Sequence, residues 1–451
     1  MHYSILAKKK GLIGLCLLCI LLGVSIIVST YFVSRTQTLF FPQNNFAWFL
    51  TCMTIASLAY WRLANLAKTH FSFQQIIIFA VVIRLLLLVV FPNLSDDFWR
   101  YLWDGQLMNE GRNAFAHTPL ELFKKKELSA YLAEIYPQLN SKTYFSVYPP
   151  VAQYLFGIAN FLGGGHILYN IIFLRIGVIL AEILLFFGLK KLLLRQQLPS
   201  QLVAWYALNP MVILAFTVNL HLEVFMIAAL LWGTVFLQKN SLLPAAFCWT
   251  MAIGVKILPL MFLPLLVRRM KWQHFLAFVA LILLGLVLLF VPFGNKSANI
   301  LQSLRLYYGY FEFNASIFYL VRYVGYQVFS HDIVRWAAPL LALLTALGIV
   351  VYALKEKNPE IKNFPAAVLF AAILHLLLSP LVHPWYVVGW VAFAALTQKY
   401  CVILWSLVVV LSYSAYTYAP VYQESYLAIA LEYGLVAVCV WRSITRKNIL
   451  I

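Results

Sequence analysis

Two adjacent aspartates, Asp96 and Asp97, open the run SDDFWRYLWDG in a chain that is otherwise strongly apolar. Ser95 or Asn93 can cap a helix beginning near Asp96. On that helix Asp97, Tyr101 and Asp104 fall at i, i+4 and i+7, on one face, with Arg100 beside them. A carboxylate held there can take a proton from an attacking hydroxyl, which is the work of a general base. The structural alternative makes Arg100 and Asp104 an i,i+4 ion pair and gives Asp96 to the positive helix start. Trp99 and Trp103 form a second stripe suited to a membrane interface. Neighbouring residues on a helix point about 100° apart, so Asp96 and Asp97 are not a metal site by themselves. A divalent ion is not indicated, and no cofactor is expected.

The elements that must hold this stretch are membrane helices. Of 451 residues, 63% are hydrophobic and 11% charged, against roughly 45–50% and 25% in soluble domains. Repeated apolar runs of about twenty residues match the thickness of a hydrocarbon core. The expected fold is all-α and polytopic, with 1–451 a single integral-membrane domain. Lys8, Lys9 and Lys10 precede an apolar run from Gly11 to Val33, too long for a signal-peptide core and read as the first span. The net charge of +18 sits at the ends of apolar runs. That is the positive-inside pattern, with attraction to membrane lipid, rather than a nucleic-acid surface. Cysteines 16, 19, 52, 248, 401 and 439 lie in apolar segments and read as small core hydrophobes.

The basic clusters predict twelve crossings with both termini inside, and they place 93–150 in a large extracytoplasmic loop. Pro150–Leu162 is too short to cross and ends in Gly163–Gly165, so it is expected to be a short surface or re-entrant helix. Likewise 242–267 reads as a broken hairpin with Lys256 at its tip, and 294–330 as a second outer loop. The polar spots 93–149, 219–223, 256, 294–330 and 380–384 then share one side. If 150–162 and 242–267 each crossed once, 219–223 would move to the cytosol.

The segments SDDFWRYLWDG, NEGRNAFAHTP and YPPVAQ resemble the first extracytoplasmic loop of bacterial GT-C glycosyltransferases that use polyprenol-phosphate sugars. These mannosyltransferase-like enzymes are distantly similar to the catalytic subunit of glycosylphosphatidylinositol mannosyltransferase I. LNPMVI, NLHLEVF, GVKILPLMFLP, FNASIFYLVR and SPLVHPWYVV follow in the family's order and span most of the chain. The resemblance implies an inverting transferase that moves a hexose, mannose above all, from a polyprenyl-phosphate donor to a lipid or glycan acceptor. It implies Asp97, four residues before Tyr101, as catalytic base, with Asp96 beside it. The chain departs from the family at Asn113-Ala114-Phe115, where Asn-Pro-Tyr is usual, and at Leu220-His221-Leu222-Glu223, where Gly-His-x-Asp is usual.

A lipid-phosphate donor leaves an anion behind, and its growing charge needs placed cations. Lys256 interrupts an apolar run, where an ionisable group is costly without a partner or a wet cavity. The expected phosphate-binding set is Lys256, Arg322 and His383, with Arg100 and His221 as second candidates. For Lys256 the structural alternative is pairing with Glu223, and for Arg322 it is snorkelling. Glu223, Tyr101, Asp104, Tyr148 and Trp385 are the expected acceptor and sugar contacts. Glu182, Arg84, Arg175 and His375, inside apolar runs, are left to structural pairing. The expected location is the bacterial inner membrane, with the site facing outward. Two rivals stand against an enzyme: a secondary transporter, which predicts related halves and midplane polar groups, and a non-catalytic polyprenyl-lipid-binding protein.

Overall fold

The computed structural model describes residues 20–21, 23–28, 43–331, 333–417 and 422–445. Lys8–Lys10, Cys16, Cys19 and most of the expected first span lie outside them. Nearly all regular structure is helical, and among the described residues the β contact is an isolated parallel bridge between Phe313 and Leu381.

Among the described residues, five helices are long and apolar enough to cross a membrane: Ile167–Arg195, Trp272–Arg305, Val334–Lys355, Ile361–Leu378 and Tyr400–Thr417. A sixth is gained if Ser200–Ala207 and Pro210–Val218, bent by 56°, count as one span. Twelve crossings were expected; one of them, 11–33, lies mostly outside the described residues, and several others fall on helices too short to span alone. Phe73–Leu86, Glu223–Leu237, Leu242–Val255 and Pro384–Thr397 are apolar but have only 10–17 residues. At about 1.5 Å per residue such helices fall short of a roughly 30 Å core. Gln43–His70 has 28 residues but is not apolar enough.

The two segments of unusual length fold as short and broken elements. Pro150–Gly163 is a 14-residue helix that stops at Gly164, whose φ of 58° suits glycine. Leu242–Val255 ends where Lys256 turns extended (φ −153°, ψ 134°), and a 3₁₀ helix follows over Leu258–Leu266. Fourteen α-helical residues rise about 21 Å and nine 3₁₀ residues about 18 Å. The two limbs are of similar length, and their far ends, at Gln238 and at Arg268–Arg269, meet one set of residues.

Those far ends are basic. Arg195 donates to Val235 O and Gln238, Arg268 to Ala353, Leu354 and Glu356 carbonyls, and Arg269 to Glu356 and to Glu360 O. Gln196 reaches Lys362 O. These contacts join the cationic helix ends into one belt at one pole of the bundle.

At the other pole the 93–150 segment is a folded cap. Asp97–Asn109, Pro119–Lys124 and Ala130–Ile135 are helices, the second opened by a capping box between Thr118 and Glu121. Trp103 is fully buried against Tyr136, with Leu122, Leu132 and Ile135 in the same core. Its expected role as an interface anchor is corrected: the cap folds back over this stripe. Trp99 instead clusters with Phe91 and Phe98.

Gly105 lets the Asp97–Asn109 helix lie directly on Pro150–Gly163. A Cβ there would sit 2.5 Å from Phe156 O, a backbone atom that cannot swing away. Gly105→Ala is expected to force the two helices apart and destabilise the protein by about 1–3 kcal/mol. A thermal melt in detergent at the wild-type midpoint would contradict this contact.

Candidate active site

A cavity of about 570 Å³ opens between the cap and the ends of the helices farthest from the basic belt. The Glu223–Leu237 helix enters it with Glu223 and Met226 at its N-terminal end. Leu242–Val255 enters with Val255 and Lys256, and Phe364–Leu378 with His375 and Leu376, at their C-terminal ends. Residues from 95 to 422 meet there.

Asp97 is the first residue of its helix, and Ser95 Oγ accepts from its backbone N–H at 3.3 Å. Its side chain is 31% exposed, and that exposure is to the cavity. Burial pushes its carboxyl up to about 7, the Asp96 and Glu223 charges add to the rise, and Lys256 opposes it. Burial likewise raises Asp96 to about 6. A carboxyl poised near neutrality, at the wall of a cavity, is what general-base work requires.

His221 Nδ1 lies 3.9 Å from Asp97 Oδ2, too far for a direct hydrogen bond. Its Nε2 is buried with no hydrogen-bond partner among the described residues. The approach of this histidine is prepared by a π-helical turn over Ile213–Val218. Arg175, fully buried, ties the carbonyls of Thr217, Val218 and Leu88. The buried Arg84–Glu182 pair, 2.6 Å apart, also takes Thr217 Oγ1 at 3.0 Å. These intramembrane charges thus pair structurally, as expected. The turn closes at Leu220, whose φ of +63° is a left-handed conformation that costs a branched residue about 1–2 kcal/mol. The resembling family usually carries glycine there, and the backbone explains why.

Lys256 reaches Glu223 Oε1 at 2.5 Å and stands over the Tyr386 ring at 3.8 Å. Cavity position and ion pairing, posed as alternatives, are therefore both present. His383, which caps Pro384–Val388, stacks on Trp385 at 4.3 Å, and His221 stacks on the opposite face at 3.7 Å. Both faces of Trp385 are thus covered by imidazoles, leaving only its edge for a sugar. Tyr101 is similar: Phe156 covers one face at 4.6 Å, and Tyr148 meets it edge-on at 5.0 Å.

Three expected residues are placed differently. Asp104 shares Asp97's helical face but lies two turns further on, under residues 141–153, and does not line the cavity. It is fully buried and accepts from Arg100 Nε at 2.8 Å, Ser146 Oγ at 2.5 Å and Gln153 Nε2 at 3.0 Å. Arg100 does line the cavity, yet most of its guanidinium is spent on Asp104 and the carbonyls of Ser141 and Tyr144. Arg322 is one side chain back from the cavity, pairing at 2.5 Å with Glu312, which does line it. Asp104→Asn would leave Arg100 buried without its counter-charge. We expect a loss of about 3–5 kcal/mol, read as a lowered detergent melting temperature. An unchanged melt would mean that the cap does not depend on this pair.

Sequence reasoning missed Glu312, Asn140, Tyr144, Tyr416 and Tyr422 as lining residues, and gave His375 no role. Only His375 carried a signal, as a lone ionisable group four residues before Ser379 in an apolar helix. Glu312, Asn140, Tyr144 and Tyr422 come from loops, where spacing is uninformative, and Tyr416 from the last turn of an apolar helix, where a tyrosine carries no distinguishing signal. Among the described residues no group of three His, Cys, Asp or Glu side chains is arranged to hold a metal ion.

Residues 8–272, well over half of the chain, match the family model described as Alpha-(1->6)-mannopyranosyltransferase, N-terminal domain. No curated protein matches the chain.

Proposed function

Since the chain belongs to the alpha-(1->6)-mannopyranosyltransferase family, a GT-C type of mannosyltransferase and an integral membrane protein, we propose how its cavity performs the transfer. The donor is a polyprenyl-phosphate mannose and the acceptor a lipid-borne or free glycan hydroxyl. Asp97 takes the proton of that hydroxyl, whose oxygen attacks the anomeric carbon in line. The bond from that carbon to the phosphate oxygen breaks, and the electron pair leaves with the lipid phosphate. One in-line displacement inverts the centre, so an α product requires a β-linked donor.

The observation that carries this reading is the meeting, in one cavity, of a carboxyl raised to about 7 with Lys256, His221 and His383. A developing phosphate dianion is stabilised by such a preplaced cation and N–H donors. Asp96 stands beside the base, with Glu223 and Tyr148 near the sugar. Arg322 acts through Glu312, which lines the cavity in its place. Met226, Val255, Leu258 and Leu376 give the cavity an apolar wall suited to the first isoprene units. The cationic belt at the opposite pole supports a site on the extracytoplasmic side of a bacterial inner membrane. No metal is assigned to the step.

The test is to incubate purified protein with labelled β-polyprenyl-phosphate mannose and an α-mannoside acceptor, then determine linkage and anomer. An α-linked product supports the proposal. A β-linked product would exclude inversion. No transfer with vesicle uptake of the donor would favour a transporter, and neither outcome a binding protein.

A further inference from the structure

The wall that carries His383 is held from the far end of the chain. Phe313 N–H donates to Pro380 O at 3.0 Å, and Val382 N–H donates to Phe313 O at 2.8 Å. These two bonds form the isolated bridge, and the Phe313 ring stacks on His383 at 4.8 Å. A two-bond bridge with no further ladder is marginal by itself. Its neighbour Asn314 explains why it persists. Asn314 is fully buried with φ of +47°, a conformation asparagine tolerates better than most residues. Its side-chain amide donates to both Glu432 oxygens at 3.2 Å and to Val382 O at 3.4 Å. Its backbone N–H donates to Glu424 at 2.5 Å, and its carbonyl accepts from Tyr433 Oη at 2.7 Å. Glu432, also fully buried, accepts from Trp405 Nε1 at 2.8 Å. A carboxyl in this position is expensive to bury unless its hydrogen bonds are needed, and here they fix Asn314, the neighbour of the Phe313 that stacks on His383.

We propose that Asn314 and Glu432 are positioning residues for His383: they hold the Phe313–Leu381 bridge so that the imidazole keeps its place on the Trp385 stack. Neither lines the cavity itself, and both lie beyond the residues that match the family. The proposal rests on the reading that His383 faces the donor phosphate.

In Glu432→Gln an amide oxygen in the place of Oε1 keeps Trp405 and one contact with Asn314, while the NH₂ in the place of Oε2 faces the Asn314 amide donor against donor. The reciprocal pair Asn314→Asp with Glu432→Gln restores donor to acceptor. Binding of polyprenyl phosphate to the detergent-purified full chain should weaken about tenfold in Glu432→Gln, with the donor KM rising in parallel and kcat changing less. The reciprocal double variant should recover part of that loss, because Asn314→Asp also gives up the amide's bond to Val382 O. In a His383→Ala background, Glu432→Gln should add less than twofold, because the residue it acts through is gone. Equal tenfold losses in both backgrounds, or no loss in either, would overturn the proposal. Tyr433→Phe, which removes one tie to Asn314 with less disturbance, should show the same non-additivity and replaces Glu432→Gln if that variant does not fold. Absence of wild-type polyprenyl phosphate binding would remove the donor reading and this proposal with it. Wild-type binding with additive losses would remove this proposal alone.

Discussion

Asp97→Asn is expected to lower mannosyl transfer by at least about 10²–10⁴-fold, the range for loss of a placed general base, while the protein folds as before. The pH dependence should carry the same signature. A carboxyl at about 7 is protonated and idle below neutrality. So kcat/KM should rise with pH and level off once Asp97 is ionised. Asp96 is one of the charges that raise Asp97. Asp96→Asn should therefore move the rising limb to lower pH without abolishing activity. For stability the sign is opposite. The folded value lies above the usual 3.8, so the fold prefers the protonated form and loses stability as pH rises between those values. Asparagine resembles that protonated form, so Asp97→Asn should melt no lower than wild type above pH 7. A variant that still turns over normally would take the base role from Asp97.

The second large effect belongs to Lys256. Lys256→Ala alone removes the cation and also strands Glu223, which is 8% exposed, without its partner. The resulting destabilisation should fall below the roughly 3–5 kcal/mol of a fully buried pair, because the lysine side chain is 33% exposed. The double variant Lys256→Ala with Glu223→Gln removes both charges and separates the two effects. It should melt near wild type while kcat/KM for the donor falls about 10²–10³-fold, the usual cost of one electrostatic stabiliser. Lys256→Arg should retain part of the activity, since it keeps the charge but replaces a compact ammonium with a broader fork. Near-normal transfer by the double variant would mean that the leaving phosphate is stabilised elsewhere.

Most of the helical architecture was legible because its cause is local. A run of apolar residues of sufficient length must be helical in lipid, whatever surrounds it, and Ile167–Arg195, Trp272–Phe290 and Val334–Lys355 follow from that alone. The break at Lys256 was readable from charge: Lys239 before the segment and Arg268, Arg269 and Lys271 after it belong on one side, so the chain between them must turn back. Crossing number was less legible, because a 14-residue apolar helix satisfies both a short buried element and part of a span.

By its own pattern the sequence determined an all-α membrane protein with one acidic cap, a candidate base at Asp97, and lysine and histidine partners drawn from distant motifs. Tertiary structure decided which of those groups face one another. It buried Asp104 and Trp103, whose helical faces looked as exposed as Asp97's, because residues 141–153 and the cap's other helices fold back over them. It covered both faces of Trp385, moved Arg322 behind Glu312, and brought Glu432 against Asn314, beside the Phe313 ring that stacks on His383. Periodicity assigns a residue to a face of its own helix, and only packing between helices decides what that face meets.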